Sequence, residues 1–239
     1  MARCCASPEV DARRLEPEWL DHLPADDPRA RRSRADLRRI NAIMGNARAV
    51  AREFVPSTND RVFVPGTIVE LGAGDGAFAL ALARKLQAAA LKVTLVDRQR
   101  IVSPETIAQF RQAGATVEVA QADVFEWLED AGEADAIVAN LFLHHFDDAA
   151  LSRMLALAAR RTRLFVACEP RRSGFALAGS RMLGAIGCND VTRHDAVASV
   201  RAGFRDQQLT ALWPKGPWSV SERASGLFSH VFAARRTAS

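Results

Sequence analysis

Short apolar runs and longer stretches with helical spacing alternate along most of this chain. The run "GTIVELGAG" (66–74) is a short β-rich segment that ends in a glycine turn, and the following "DGAFALALARKLQAAA" (75–90) is rich in alanine and leucine. Because alanine and leucine favour helix, this pair predicts a strand, a glycine loop and a helix.

The same unit recurs toward the end of the chain. Apolar strands are predicted at 92–98, at 116–122 before Asp123, at 134–143 before two histidines, and at 162–170, and helices at 103–114, 147–161 and 193–204. We interpret "QQLTALWP" (207–214) and "GLFSHVFAARR" (226–236) as two closing strands. Repeated strand–helix units of this kind predict an α/β fold with a doubly wound, mostly parallel sheet.

The first part of the chain follows helical spacing instead. Within 17–54, several apolar residues recur near the period of a helix, and Ser33 and Asp36 are candidate helix-start residues. We therefore expect residues 1–60 to form an N-terminal extension and helical cap, and residues 61–239 to form the main domain. The stretch 171–190 is longer than a minimal strand-to-helix connection, which is typical of a lid insertion.

Composition narrows the classes of protein. Hydrophobic residues make up 49% of the 239 positions, which allows a sizeable core. No run approaches the roughly 18 to 20 apolar residues of a membrane span, and "MARCCASPEVDARR" lacks the apolar centre of a signal peptide, so we expect a cytoplasmic location. Cys4, Cys5, Cys168 and Cys188 form no metal-binding or paired pattern, so we expect neither a disulfide framework nor a metal site.

Positive charge is concentrated in one run, "RARRSRADLRR" (29–39), although the net charge is only +4. Clustered arginines can bind nucleic acid phosphates. We favour a solvated helix face, because the run continues into an amphipathic pattern and no aromatic residues for base stacking are interleaved with it. A nucleic acid partner is therefore not expected.

The glycine loop fits two kinds of cofactor site. Gly72, Gly74 and Ala77, with Asp97 standing 25 residues after Gly72, satisfy the dinucleotide pattern. Glu70, Gly72, Gly74 and Gly76 satisfy the pattern of S-adenosylmethionine sites. The motif alone does not distinguish the two.

Acidic residues around the loop favour the second cofactor. Glu70 and Asp75 would repel a pyrophosphate, whereas the ammonium of S-adenosylmethionine needs an acceptor. Asp97 can hold ribose hydroxyls in either case. Asp123 can accept the adenine amine while the backbone N–H of Val124 donates to a ring nitrogen, a need that dinucleotide domains do not share.

Over about 66–236 the chain resembles the class I S-adenosylmethionine-dependent methyltransferases that act on small molecules. The resemblance lies in "VELGAGDG", "LVDR", "QADVFEW", "NLFLHHFDD", "LFVACEP" and the tail "AGF…LTALWP…LFSHVFAA". It implies a seven-stranded sheet of order 3-2-1-4-5-7-6 with strand 7 antiparallel, and S-adenosylhomocysteine as a product. The cofactor contacts it implies are Gly72, Ala73, Gly74, Asp97, Arg98, Asp123, Val124 and Asn140, in addition to Glu70. More faintly, 26–46 and 169–196 look like bacterial methyltransferases found beside type III polyketide synthases.

Two histidines follow the fourth predicted strand, and an acidic residue ends the fifth. Methyl transfer to a hydroxyl needs a group that removes its proton. Because neighbouring strands lie about 4.8 Å apart, these side chains can meet. We hypothesise that His144 is the general base, that Glu169 orients its imidazole and that His145 is the alternative base. A packing role for the pair stays open, and His194 and His230 are more typical of structural histidines.

The lid segment suggests where an acceptor binds. Phe175, Leu177, Met182 and Leu183 are predicted to line an apolar pocket for an aromatic or lipid-like acceptor, although a helix that packs on the core fits equally well. The favoured function is O-methylation of a phenol or hydroxyl in a polyketide or another secondary metabolite. C- or N-methylation including that of RNA, a nicotinamide-dependent oxidoreductase and a non-catalytic cofactor-binding subunit stay open, and the oligomeric state is not assigned.

Overall fold

A seven-stranded sheet organises the part of the chain described by this computed structural model, residues 10–55 and 63–237. The strands are β1 Thr67–Leu71, β2 Leu91–Asp97, β3 Ala115–Gln121, β4 Ala134–Asn140, β5 Thr162–Pro170, β6 Trp218–Ser225 and β7 Ser229–Arg236. Their order is β3-β2-β1-β4-β5-β7-β6. Strands β1 to β5 are parallel, and β7 runs antiparallel to both β5 and β6. The predicted fold class and strand order are confirmed.

Helices cover both faces of the sheet and its carboxyl edge. They are α1 Trp19–His22, α2 Pro28–Met44, α3 Asn46–Arg52, α4 Ala77–Leu86, α5 Pro104–Gln112, α6 Val124–Asp130, α7 Asp148–Arg161, α8 Gly174–Arg181, α9 Asp190–Ala202 and α10 Gln208–Leu212. Ser103, Asp123, Asp147 and Asn189 cap four of them by accepting backbone N–H groups. Each cap satisfies a donor that the first helical turn leaves unpaired.

Two apolar layers result from the alternation of side chains along the strands. Ile68 of β1 packs with residues of α3, α4 and α5, whereas its neighbour Val69 packs with residues of α6 and α7 on the opposite face. Successive strand residues point to opposite faces, so the parallel strands are apolar on both sides. This explains their near-continuous apolar sequence.

The first of the two predicted closing strands is wrong. Residues Gln208–Leu212 form α10, and the strand lies later, at Trp218–Ser225. Leu209 and Trp213, four positions apart, are buried together on one face, and the Glu222 carboxylate accepts the N–H groups of Leu209 (3.1 Å) and Thr210 (2.7 Å). The four-residue spacing of Leu209 and Trp213 and the cap from Glu222 therefore favour a helix here, although the composition of the segment is typical of a strand.

The cap helix α2 begins earlier than the sequence suggested. Asp27 accepts the N–H of Arg29, and Pro28 occupies the first helical position, where its missing N–H costs nothing. Ser33 and Asp36 lie inside the helix and are buried, so they are not start residues. Asp36 instead accepts the N–H of Asn189 (2.9 Å) and ties the cap to α9. The predicted boundary at 60/61 lies outside the described residues.

Residues 10–22, named the strap here, cross the carboxyl edge of the sheet. The Arg13 guanidinium donates to the carbonyl oxygens of Ala202 (2.8 Å) and His144 (3.2 Å). Near the other end, the N–H groups of Trp19 and Leu20 donate to the Asp195 carboxylate at 2.8 and 3.0 Å. The strap is thereby attached at two points over the ends of the strands.

Within the described residues, no helix has both the length and the apolar character needed to span a membrane.

Candidate active site

A cleft of about 1570 Å³ lies between the carboxyl ends of the strands and the helical cap. In doubly wound sheets this edge is where ligands bind. The glycine loop, the ends of β2 and β4, the strap and α2 contribute its walls. It brings together all nine predicted cofactor residues and both predicted histidines: Glu70, Gly72, Ala73, Gly74, Asp97, Arg98, Asp123, Val124, Asn140, His144 and His145.

Two glycines of the loop are required for different reasons. Gly72 has φ +67, and a Cβ there would lie 2.1 Å from the Phe142 ring, so no other residue fits without moving that ring. Gly74 has φ +53, but a Cβ there would meet nothing within 4 Å. The open side of Gly74 faces the cleft and leaves room for a ligand to approach the backbone.

Glu70 is a buried carboxylate that pairs with no cationic group among residues 10–55 and 63–237. It is 2% exposed, and its Oε2 accepts one hydrogen bond, from the N–H of Ala79 at 3.2 Å. Burial, together with the charges of Asp75 and Asp97, raises its pKa well above the ordinary value, although the Ala79 bond opposes the rise. A ligand ammonium would supply the missing positive charge.

Asp97 and Asp123 hold the backbone around the cleft. Asp97 accepts the N–H groups of Gly74 and Gln99, both at 2.8 Å, and so joins the glycine loop to the end of β2. Asp123 accepts the N–H of Phe125 at 2.8 Å as the cap of α6. Carboxylate oxygens carry two lone pairs each, so both residues retain capacity to accept ligand hydroxyl or amine groups.

Asn140 is held by a buried partner that sequence reasoning missed. Asn46, at the start of α3, is fully buried and donates from Nδ2 to Asn140 Oδ1 at 3.0 Å. Ser229 of β7 in turn donates to Asn46 Oδ1 at 2.8 Å. This network orients the Asn140 side chain at the end of β4.

His144 lies between two carboxylates. Its Nδ1 is 2.8 Å from Glu169 Oε2, and its Nε2 is 3.2 Å from Glu18 Oε1 of the strap. Burial opposes charge on the ring, but the hydrogen bonds to Glu169 and Glu18 outweigh it and raise the pKa of His144 to about 9. In this arrangement His144 is an imidazolium that donates from both nitrogens.

Glu169 is itself fixed by backbone donors. Its Oε1 accepts the N–H groups of Phe142 (3.0 Å) and Leu143 (2.9 Å), which belong to the turn after β4. The side chain is fully buried at the end of β5. Glu169 therefore holds both the turn and the His144 ring in place, and the catalytic role of the pair stays a prediction.

His145 is more open to the cleft than His144. Its Nδ1 is 3.4 Å from Asp21 Oδ2 of α1, and its side chain is about a quarter exposed. Burial and the charge of His144 lower the pKa of His145, so its ring is neutral near pH 7. The distance to Asp21 makes this contact weaker than those of His144.

Glu18 and Asp21 are site residues that the sequence reading did not identify. Glu18 is separated from His144 by 126 residues, and its segment "PEWLD" has no recognisable motif. The signal that the sequence offered was an acidic residue directly before α1, Glu18, and another in its first turn, Asp21. Glu18, His144 and His145 place one ligand atom each within 4.8 Å of one another, a spacing that could hold a metal ion. Both His144 nitrogens are already paired with carboxylates, and the expectation of no metal stays a prediction.

The predicted acceptor residues lie away from the cleft. Leu177 is buried in a separate apolar cluster with Val10 and Val200, because α8 packs against α9. Phe175 and Met182 are exposed, and Leu183 begins a 3₁₀ turn on the same surface. The segment 171–190 therefore forms a helix packed on α9, and none of these four residues lines the cleft.

The other predicted features have structural partners. Arginines of the basic run form ion pairs, Arg38 with Asp75 and Arg32 and Arg39 with Asp36, on a helix as expected. His194 stacks on Trp19 at 4.0 Å, and His230 pairs with Glu222 at 2.8 Å. Cys168 and Cys188 are buried free thiols, while Cys4 and Cys5 lie outside the described residues.

Residues 68–163 match the sequence profile of a family described as a methyltransferase domain. No curated protein matches the chain in sequence. The matched segment runs from β1 into β5 and contains the glycine loop, Asp97, Asp123 and both histidines.

Solved structures share the fold at low identity. An O-methyltransferase family protein from Burkholderia thailandensis is 18% identical over 90% of this chain and 61% of its own, with TM-score 0.59. The mitomycin 7-O-methyltransferase is 20% identical over 91% and 60%, with TM-score 0.57. The plantazolicin methyltransferase, in complex with a triazolic desmethyl analogue and S-adenosylhomocysteine, is 12% identical over 88% and 92%, with TM-score 0.63. The chain thus spans about three fifths of the length of the first two.

Proposed function

We propose that this chain, whose residues 68–163 match the profile of a methyltransferase domain, is an S-adenosylmethionine-dependent enzyme that methylates a hydroxyl oxygen of a small acceptor. The profile match supports the methyltransferase class, and the strand order agrees with the fold that the predicted family resemblance implies. S-adenosylhomocysteine in a structure of similar fold supports the cofactor. The acceptor and the proton-accepting group are the proposed parts. The observation that carries them is the Glu169–His144 pair at the cleft, with Nε2 directed toward the strap.

The cleft residues fit the cofactor. The open side of Gly74 admits its amino-acid moiety, Asp97 would hold the ribose hydroxyls, and Asp123 with the Val124 N–H would hold adenine. Glu70 would pair with the ammonium, which explains a buried carboxylate that the described residues leave without a cation. S-adenosylmethionine supplies a methyl group on a positively charged sulfur and leaves as neutral S-adenosylhomocysteine.

His144 is the group we assign to the acceptor proton. Glu169 holds Nδ1–H, so Nε2 is the nitrogen that accepts a proton once its present partner has left. The arrangement follows the logic of an acid–histidine pair in which the carboxylate fixes the tautomer and stabilises the imidazolium. His145 is a second candidate, because its lowered pKa and partial exposure give a neutral ring in the same cleft.

We place the acceptor between the strap and α2. Leu15, Pro17 and Leu20 of the strap and Leu37 and Ile43 of α2 line the cleft and present apolar surface beside the histidines. Such walls suit an aromatic or lipid-like molecule. O-methyltransferases among the structures of similar fold support oxygen as the acceptor atom.

The test is product analysis with histidine variants. The protein and S-adenosylmethionine are incubated with phenols that do or do not carry an alkyl chain, and the methylated atom is identified by mass spectrometry and NMR. We expect aryl methyl ethers, and a loss of about 10²- to 10⁴-fold in turnover for His144→Gln with unchanged S-adenosylhomocysteine binding.

His230→Gln is the matched control, because His230 is also buried against a glutamate but does not line the cleft. Full turnover by His144→Gln with loss in His145→Gln would transfer the role to His145. Methylation at carbon or nitrogen would contradict the oxygen acceptor.

A further inference from the structure

We infer that Glu18 is a latch residue: the strap holds its carboxylate in the position of the acceptor oxygen on His144, and an acidic phenol must displace it before methyl transfer. The inference rests on the proposed function, because it takes His144 as the group that faces the acceptor oxygen. It adds a residue outside the methyltransferase domain and a chemical class of acceptor.

Glu18 occupies the position that a substrate hydroxyl needs. Its Oε1 lies 3.2 Å from His144 Nε2, the nitrogen that does not face Glu169. A proton donor must come within about 2.6–3.2 Å of the group that accepts its proton. The Glu18 carboxylate fills the space in front of Nε2, so the acceptor oxygen takes that place after Glu18 has moved.

The charges of the latched state also prevent proton removal. Burial raises the pKa of Glu18. The hydrogen bond and the charge of His144, helped by His145 and Ser199, outweigh burial and lower this pKa to about 2. Glu18 is therefore an anion, and His144 between Glu18 and Glu169 is a cation. An imidazolium donates from both nitrogens and accepts no proton.

The end of the strap that carries Glu18 can open while the other end, with the buried Val10 and the bonded Arg13, stays attached to the core. No residue of α1 is buried, and the attachments around Glu18 are polar, namely the Asp195 contacts of Trp19 and Leu20 and the Ser199 hydroxyl. The stacking of Trp19 on His194 is the main apolar contact described there. Segments with few buried apolar contacts open at low free-energy cost.

Because the strap must open to release Glu18, the site favours acceptors that can replace a carboxylate on His144. When Glu18 leaves as a carboxylate, an imidazolium faces the cleft between Glu169, His145 and the opened strap. A phenolate replaces the carboxylate without change in charge. The resulting phenolate–imidazolium pair is the same species that forms when a phenol gives its proton to neutral His144. Methyl transfer forms the O–C bond and breaks the C–S bond, the ether carries no charge, and Glu18 can return to His144. Aliphatic alcohols, which do not ionise near pH 7, cannot make this exchange.

The test compares Glu18→Ala and Glu18→Gln with Glu16→Ala. Glu16 is the matched control, because it also lies in the strap and lines the cleft, but its carboxylate pairs with Arg201 and not with His144. The probe is 4-nitrophenol, added to protein saturated with S-adenosylhomocysteine, and the absorption of the phenolate reports its bound, ionised form. Ring NMR of His144 in the same samples reports its pKa.

We expect 4-nitrophenolate to bind about tenfold more tightly to Glu18→Ala than to the wild type, which corresponds to a latch that is closed about nine tenths of the time. Glu18→Gln should lie between them, with a His144 pKa below about 9, and Glu16→Ala should match the wild type. In turnover, Glu18→Ala should lower KM for phenols without loss of kcat.

Equal or weaker phenolate binding by Glu18→Ala, or a fall in kcat as large as that of His144→Gln, would overturn the latch and make Glu18 a residue that positions His144. This outcome is distinct from failure of the proposed function, in which the wild type forms no methyl ether and His144→Gln changes nothing.

Discussion

Glu70 at the end of β1 and Glu169 at the end of β5 are both buried carboxylates at the carboxyl edge of the sheet, yet their surroundings differ. Glu70 accepts one backbone N–H and is near two further carboxylates. Glu169 accepts the N–H groups of a whole turn and the ring N–H of His144. Protein groups satisfy Glu169, whereas no cation in the described part of the chain pairs with Glu70.

The different surroundings of Glu70 and Glu169 suit different tasks, cofactor binding for Glu70 and orientation of His144 for Glu169. A buried carboxylate without a cationic partner is costly, and a ligand that brings the positive charge recovers that cost as affinity. A carboxylate whose partners are all protein groups fixes geometry and gains little from a ligand. Glu70 is therefore expected to determine cofactor affinity, and Glu169 the rate of methyl transfer.

Glu169→Gln should have the largest effect. The amide cannot accept from all of its present donors, so His144 loses its fixed tautomer and turnover should fall about 10²- to 10⁴-fold. Unfolding should become easier by about 3–5 kcal/mol, because one partner of a buried pair is removed. Kinetics and denaturant unfolding measure the two effects.

Glu222→Gln is the control for that stability loss. Glu222 is also buried, accepts two backbone N–H groups and pairs with a histidine, but it does not line the cleft. It should lose comparable stability and keep turnover at saturating substrate. Equal loss of turnover in both variants would show that stability alone explains the Glu169 result.

Glu70→Gln should weaken S-adenosylhomocysteine binding about 10- to 100-fold, the usual range for a hydrogen bond to a charged group. The ligand-free protein should become more stable, because the desolvated carboxylate is replaced by a neutral group of the same shape. Calorimetric titration and thermal unfolding check the two signs, and a destabilised variant with normal affinity would contradict them.

The free energy of unfolding should decline with rising pH for two separate reasons, one at Glu70 and one at His144. Glu70 has a raised pKa, so the folded state holds its proton longer and loses stability as pH rises above the ordinary glutamate range. His144 also has a raised pKa, so its ion-pair contribution is complete below about 6.5 and is lost as pH rises through about 9. Unfolding from pH 5 to 10 should therefore give a shallower decline for Glu70→Gln at the acidic end and for His144→Gln at the basic end.

Gly72→Ala tests the contact between the glycine loop and the turn after β4, and its effect should be smaller. The Phe142 ring covers Gly72, and the Phe142 N–H donates to Glu169. The added methyl group should displace the ring and cost about 1–3 kcal/mol, the range for a strained backbone position. Phe142→Ala should restore part of the stability in the double variant, and additive losses would contradict the contact.

The cofactor half of the site was predictable because its signals are local. Gly72, Gly74, Asp97 and Asp123 each stand at the end of a strand that the apolar pattern already located, and parallel strands bring those ends to one edge. His144 and Glu169 followed from the same rule. The sheet order came from the family resemblance, and the structure agrees with it.

The contacts that the strap and α3 make in the site were not predictable, because they join segments that are distant in the sequence. Glu18 meets His144 across 126 residues and Asn46 meets Asn140 across 94, and no spacing or motif marks either pair. The lid prediction at 171–190 used loop length, but the strap covers the cleft instead. The misplaced strand at 207–214 had the same origin, since the partner that caps α10 is Glu222 on a later strand.

The most direct measurement is a paired determination of the dissociation constant for S-adenosylhomocysteine and of kcat at saturating cofactor, for Glu70→Gln and Glu169→Gln. We predict that Glu70→Gln raises the dissociation constant and retains kcat, while Glu169→Gln retains the dissociation constant and loses kcat. If both variants lost the same parameter, the separation of cofactor binding from orientation of His144 would be contradicted.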